Sequence, residues 1–208
     1  MNPPLHHRRS PPRGFTLVEM LIVISLMTIV AGLLIPSFMP DMTQRLESTA
    51  DIVAADLAWT RSLAVANNST YRVTFDATAN AYSLEHAGTN AALDTLPRSA
   101  FGRYSDPDTK FTTRMADLPH IGPAVRVHTA TKRTAAGNES SVTTVEFGPL
   151  GETTRPESTV LWLAAGDGSA LRFIPLTIDP VTGLVTVGSM TNVAPAAIIG
   201  GSAVSNGS

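Results

Sequence analysis

The chain has 208 residues, no cysteine, only 15% charged residues and a net charge of −2 at neutral pH. That length accommodates one membrane helix and one domain large enough to bury a core. Without cysteine there is no thiol catalysis, thiolate zinc site, iron–sulfur cluster or disulfide, so the fold relies on packing.

Charge is uneven along the chain. The first fourteen residues hold Arg8, Arg9 and Arg13 and no acid, while the remainder carries 12 basic against 17 acidic residues, a net of −5. Residues 15–35 form an apolar run of 21 residues in which Glu19 is the only ionisable side chain. Such a run is long enough to cross a bilayer as a helix. The arginines before it orient it with the N-terminus in the cytoplasm and the body of the chain translocated. A carboxylate forced toward the membrane centre costs roughly 2.5 kcal/mol or more, so Glu19 needs a partner. A secretory signal peptide has a shorter apolar region, about 7–15 residues, ending in an Ala-x-Ala type site. Here the run ends in "LLIPSFMP", with no such site.

Pro36 and Pro40 come next. A proline inside a helix removes a hydrogen bond and kinks or unwinds it, which places the expected kink at Pro36. The helical period then resumes: Leu46, Ala50, Val53, Leu57, Thr60 and Ala64 recur at steps of four and three. Ile52, Trp59, Leu63 and Ala66 widen that stripe, and Asn67 and Asn68 supply a stop. Residues 15–35 and 36–68 together predict a helix of about 53 residues, roughly 80 Å if straight.

After Asn68 the period changes to two. "YRVTF" (71–75) and "AYSLE" (81–85), joined by "DATAN", predict a hairpin. Further strands are expected at 124–128, 142–147, 159–164, 171–178 and 184–187, separated by the turn signals "AAGN", "GPLGE", "AGDGS" and "DPVTG". Pro175 inside a strand signals an edge or a bulge. Residues 87–122 are long, polar and unassigned. A β-rich domain thus spans 69–188, and 189–208, uncharged and rich in Gly, Ala, Ser and Asn, reads as a flexible tail.

The residues offer no enzymatic constellation. His86, His120 and His128 are scattered without metal-ligand spacing. "AGDGSA" lacks the Lys-Ser/Thr of a phosphate loop, and there is no G-x-S-x-G elbow. Asp167 and Asp179 sit in separate turns, with no cluster around them to hold calcium. No cofactor or metal is expected, and the chain reads as a non-enzyme. Nucleic-acid capture needs a basic patch, and Arg126, Lys132 and Arg133 are the only modest cluster.

The segment "RGFTLVEMLIVISLMTIVAGLLIP" closely resembles the N-terminus of type IV prepilins and type II secretion pseudopilins. The resemblance implies cleavage between Gly14 and Phe15 by a prepilin peptidase, which removes residues 1–14 as a basic leader and N-methylates Phe15. It implies that Glu19 pairs with the free α-amino group of a neighbouring subunit, where two opposite charges in low dielectric attract strongly and either one alone is penalised. Retaining Glu19 implies a subunit that docks beneath another in a filament.

"ADLAWTRSLAVANNSTYRVTFD", "VEFGPLGE" and "IDPVTGLVTVG" resemble the GspH/FimT group of minor pseudopilins, from which the 87–122 stretch departs. The implied fold is α+β and pilin-like: a long N-terminal helix, transmembrane in its first half, packed on a small antiparallel β-sandwich. The implied function is that of a minor pseudopilin of a type II secretion system, at or near the tip of a periplasmic pseudopilus. The alternative is a minor pilin of a type IV pilus serving assembly, adhesion or DNA uptake. Partners implied are the peptidase, other pilins or pseudopilins and the inner-membrane assembly platform. The implied location is the bacterial inner membrane, single-pass, with the C-terminal domain in the periplasm.

Overall fold

A computed structural model describes residues 15–34, 42–97, 102–118 and 124–195. The chain divides into two compact units, Met1–Pro40 and Asp41–Ser208.

The first unit contains helix α1 (Leu17–Leu34). Thr16 starts it: its hydroxyl accepts from the Glu19 amide at 3.2 Å, and its carbonyl accepts from the Met20 amide at 3.2 Å. Thr16-x-x-Glu19 is the spacing of a capping box, and Glu19 lies in the first turn, where the helix dipole favours an anion. The only hydroxyls further along, Ser25 and Thr28, donate to the carbonyls of Leu21 and Ile24, each at 2.8 Å. Eighteen residues rise about 27 Å. Among the described residues no helix is long and apolar enough to cross a membrane. The 21-residue run ends at residue 35, outside the described residues, as do the kink expected at Pro36 and the continuity of one long helix.

The second unit begins with α2 (Met42–Ala66) and continues into two antiparallel sheets. Leu46, Ala50, Val53, Leu57, Thr60 and Ala64 are all buried, as their spacing requires, and Thr49 joins them. Ile52, Trp59 and Leu63 pack at the rim of the core, whereas Ala66 is exposed. The helix stops where the asparagines stand. The Ser69 amide reaches back to the Ala64 carbonyl and the Asn68 amide to that of Val65, while Asn68 takes a φ of +47°. This is a Schellman motif with Asn in the left-handed position usually held by Gly.

The first sheet has the order β3 (Phe111–Arg114), β2 (Ala81–His86), β1 (Tyr71–Asp76), β6 (Thr144–Phe147). The second has β5 (Glu139–Val142), β4 (Val125–Arg133), β7 (Ser158–Ala165), β8 (Arg172–Ile178), β9 (Val185–Val187). The stripe of α2 and the inner faces of both sheets share one core, including Tyr71, Phe147, Leu161, Leu163, Ile174 and Leu176. Strand β7 is buried on both faces, as its unbroken run "TVLWLA" implies. Val160, Trp162 and Ala164 form with Phe173 a smaller cluster distinct from the main core.

The observed strands differ from the expected ones at three places. The single strand expected over 142–147 is two, because Thr143 carries the chain from the edge of one sheet to the edge of the other. Strand β4 runs five residues past 128, through a bulge at His128 that interrupts the alternation. Strand β3 lies within the stretch left unassigned. Pro175 sits in β8 opposite Trp162, and its carbonyl accepts from Gly188 just where β9 ends. Its ring nitrogen therefore faces a break in pairing rather than a ladder partner. The next pairing, Phe173 with Thr191, is shifted by one residue, the bulge that the proline signals. That pairing also ties residues 189–195, read from sequence as part of a flexible tail, to the sheet. Residues 196–208 lie outside the described residues.

Candidate functional site

Phe15 and Glu19 stand at the start of α1, and every described residue from 15 to 31 is exposed. Phe15 is 73% and Leu17 81% exposed. A helix that is apolar all round and bare to solvent requires cover by lipid or by other apolar helices. Its hydroxyls are satisfied internally, so Glu19 is the one side chain in 15–31 that such cover leaves in need of an external partner. Gly14 lies outside the described residues.

A second assembly of residues lies on the body of the protein. Arg61, on α2, points its Nε at two turns distant in sequence and donates to the carbonyls of Gly151 at 3.1 Å and Thr182 at 2.6 Å. Both turns require glycine: Gly151 has φ +87° and Gly183 φ +63°, and a Cβ on Gly183 would collide with the Gly151 carbonyl. The Thr153 amide donates to Pro180, and Asp179 Oδ1 accepts from the amides of Val181 and Thr182 and the Thr182 hydroxyl. Those bonds hold the Asp179 carboxyl below its ordinary range. Leu150 and Val181, at the two turn tips, are 85% and 78% exposed. Thus "R" of the α2 segment, "GPLGE" and "DPVTG" meet at one point, although 90 and 121 residues separate their contacts.

The cations of the basic cluster are all engaged. Arg126 donates to the Gly166 carbonyl and faces Asp167, Lys132 reaches Glu157 at 3.5 Å, and Arg133 donates to Glu139 at 2.7 Å. Lys110, Glu85, Arg72 and Glu146 form a further alternating row across the first sheet. Asp167 and Asp179 do not converge, and no group of three potential metal ligands occurs among the described residues.

The histidines fare differently from their sequence reading. His128 occupies the bulge of β4, edge-on to Phe173, where burial and then Arg126 hold its pKa below the usual value. His120 lies outside the described residues. His86 is not isolated: its Nε2 is 2.7 Å from Ser69 Oγ and its Nδ1 2.7 Å from Asp94 Oδ1. Spacings of 17 and 8 residues across a strand and a turn carry no motif, so sequence reasoning missed it. Asp56 was also missed. It faces the first sheet from α2, accepting from the Tyr82 hydroxyl at 2.6 Å and the Thr113 hydroxyl at 3.4 Å. Burial raises its pKa, and those two bonds only partly oppose the shift.

Residues 9–35 match the family of the prokaryotic N-terminal methylation motif. The N-terminus is therefore prepilin-like, as its residues implied, and the fold is the expected α+β arrangement of helix on antiparallel sheets. No curated protein matches the chain. Two solved structures resemble it, both crystal structures of the type IV minor pilin FimU from Pseudomonas aeruginosa strain PAO1. One is 18% identical with a TM-score of 0.41, covering 69% of this chain and 93% of FimU. The other crystal form is 15% identical with a TM-score of 0.42, covering 69% and 86%.

Proposed function

We propose that this pilin-like subunit is a minor pseudopilin of a type II secretion system, anchored in the inner membrane by residues 15–35 and assembled with other pseudopilins into a periplasmic filament. The observation that carries the reading is a bare apolar helix with a single carboxylate, Glu19, in its first turn. Cleavage after Gly14 leaves the α-amino group of Phe15 as the natural counter-charge on a neighbouring subunit. Pairing relieves a buried charge and sets axial register in the same step. The role is structural rather than enzymatic. Residues 36–68 and 69–188 form the exported body, on which the Arg61 clasp unites the segments that resemble the GspH/FimT group.

A type IV minor pilin that captures DNA is the competing reading. Its basic patch would have to be Arg126, Lys132 and Arg133, and each already faces a carboxylate, which favours the secretion reading. The test is a gene deletion scored for the culture-supernatant proteome and for surface pili. Loss of secreted proteins with pili intact is expected. Loss of pili or DNA uptake with secretion intact overturns the assignment. Complementation with Glu19→Ala separates the class from the system: it should insert and be cleaved to a Phe15 terminus, yet fail to co-purify with partner subunits.

A further inference from the structure

Ser69, His86 and Asp94 make the hydrogen bonds of a nucleophile, a general base and the carboxylate that orients it. Each arrives by a different local cause. Ser69 is the residue after the left-handed Asn68 that ends α2, so the Schellman turn fixes its backbone amide on Ala64 and leaves its hydroxyl free to turn toward the sheet. His86 ends β2, and its side chain is 0% exposed. Asp94 follows the short 3-10 turn Ala91–Leu93, which Asn90 caps through its side chain on the Ala92 amide. The Tyr71 ring meets the imidazole edge-on at 5.1 Å and restricts its rotation, while Tyr71 itself is held by Asn67 at 2.8 Å.

Two features separate this cluster from a chance clasp. A carboxylate accepts but cannot donate, so Asp94 requires the proton on Nδ1. Nε2 is then left as the acceptor of the Ser69 hydroxyl, the tautomer that general-base catalysis needs. Gly88 is the second feature. A Cβ there would overlap Ser69 Oγ and stand 2.7 Å from His86 Nε2, so glycine keeps a side chain off the reactive pair. Ser69 is half-buried, and the Asp94 side chain, on the Nδ1 side of the imidazole, is 49% exposed.

We propose that Ser69 is an activated nucleophile that accepts an acyl group from a carboxylic ester. Ser69 Oγ attacks the carbonyl carbon while its proton passes to His86 Nε2, and Asp94 stabilises the imidazolium. The C–O bond to the alcohol breaks, the alcohol oxygen takes the proton back from His86, and acyl-Ser69 remains with a free alcohol. No redox partner enters. The step is a single acylation of the protein, distinct from the filament role and independent of it.

The test uses the full chain in detergent with p-nitrophenyl acetate. Expected are a burst of one equivalent of nitrophenolate and one acetyl group mapped by peptide mass to Ser69. Ser69→Ala leaves the buried His86 Nε2 unpaired, so the protein should stay folded with a lowered unfolding midpoint and lose the burst. His86→Gln should slow labelling by about 100-fold or more, the usual size of general-base assistance. Asp94→Asn tests positioning: the acylation rate should fall, and Asp94→Glu should restore it, a rescue that a purely structural carboxylate would not show. Acetylation confined to lysines and the N-terminus, or an unchanged burst in a folded Ser69→Ala protein, overturns the proposal.

Discussion

Asn80, at the tip of the β1–β2 turn, has a φ of +50° and bonds in three directions. Its amide donates to the Val125 carbonyl at 3.0 Å, its side-chain oxygen accepts from the Val127 amide at 2.8 Å, and its carbonyl accepts from Met115 at 3.0 Å. The side chain thus stands in for a missing strand along the start of β4, which β5 does not reach. Asn80→Gly keeps the backbone freedom but strands two backbone groups, so it should cost roughly 2 kcal/mol or more in urea unfolding. A loss no larger than that of an exposed glycine substitution would refute the role. In sequence Asn80 reads as an ordinary turn residue, because its partners lie 45 and 47 residues onward. Two carboxylates shape stability at the same scale. Asp56 has a folded pKa raised above 3.8, so its neutral form suits the fold. Stability should fall as pH rises from about 3.8 through that raised value, then level off. Asp106 behaves oppositely. Arg114 foremost, with the Arg103 amide, lowers its pKa to about 2, so its contribution is present above 3.8 and lost as pH falls toward 2. A melting-temperature profile should show both limbs, and Asp56→Asn should flatten the upper one alone.

Among the elements, α2 was the most legible. Its apolar residues repeat at steps of three and four over five turns, and packing on a sheet rewards that period. Leu57→Ala should cost about 2–5 kcal/mol. The hairpin β1–β2 was equally plain, because alternation and a turn lie within sixteen residues. Strand β3 was not, since four residues with a single fully buried side chain, Thr113, carry too little pattern. Nor was the second half of β4, "TATKR", whose small and polar side chains are ordered by ladders on both sides rather than by hydrophobicity. The meeting of Arg61 with the two glycine turns depends on tertiary geometry that no local window contains. Arg61→Met, which preserves length and apolar stem, should cost about 1–3 kcal/mol. It should also speed amide exchange at Thr153 and Gly183, while β7 stays protected. Uniform acceleration through β7 would mean that Arg61 supports the core rather than the turns.

For the whole molecule, the division into two units sorts two kinds of stability. Among the described residues the buried core belongs to the unit from Asp41 onward, while residues 17–31 of α1 are exposed. A fragment beginning at Asp41 should therefore be soluble without detergent, fold alone and melt in one transition. The full chain should require detergent. Aggregation of that fragment at its first opening would show that the N-terminal unit completes its core. The N-terminal motif was legible because its basic residues, the Gly14–Phe15 junction and the lone carboxylate of the apolar run are adjacent in sequence. The Ser69 cluster was not, because its members are brought together only by the end of a helix, a strand and a turn.

The single-residue step at Thr143 has a kinetic consequence. The Phe75 amide donates to the Thr143 carbonyl at 2.7 Å, so the linker itself is paired as the chain passes between sheets. A slip of one residue between β4 and β5 would drag β6 along β1 and turn Val145 and Phe147 away from the core. An alignment error in either sheet is thus an error in both. The β1–β2 hairpin can form early and locally, but β6 reaches β1 only after some seventy residues have been closed into a loop. Commitment to the native state should come late and all at once, with few half-aligned forms surviving long enough to aggregate.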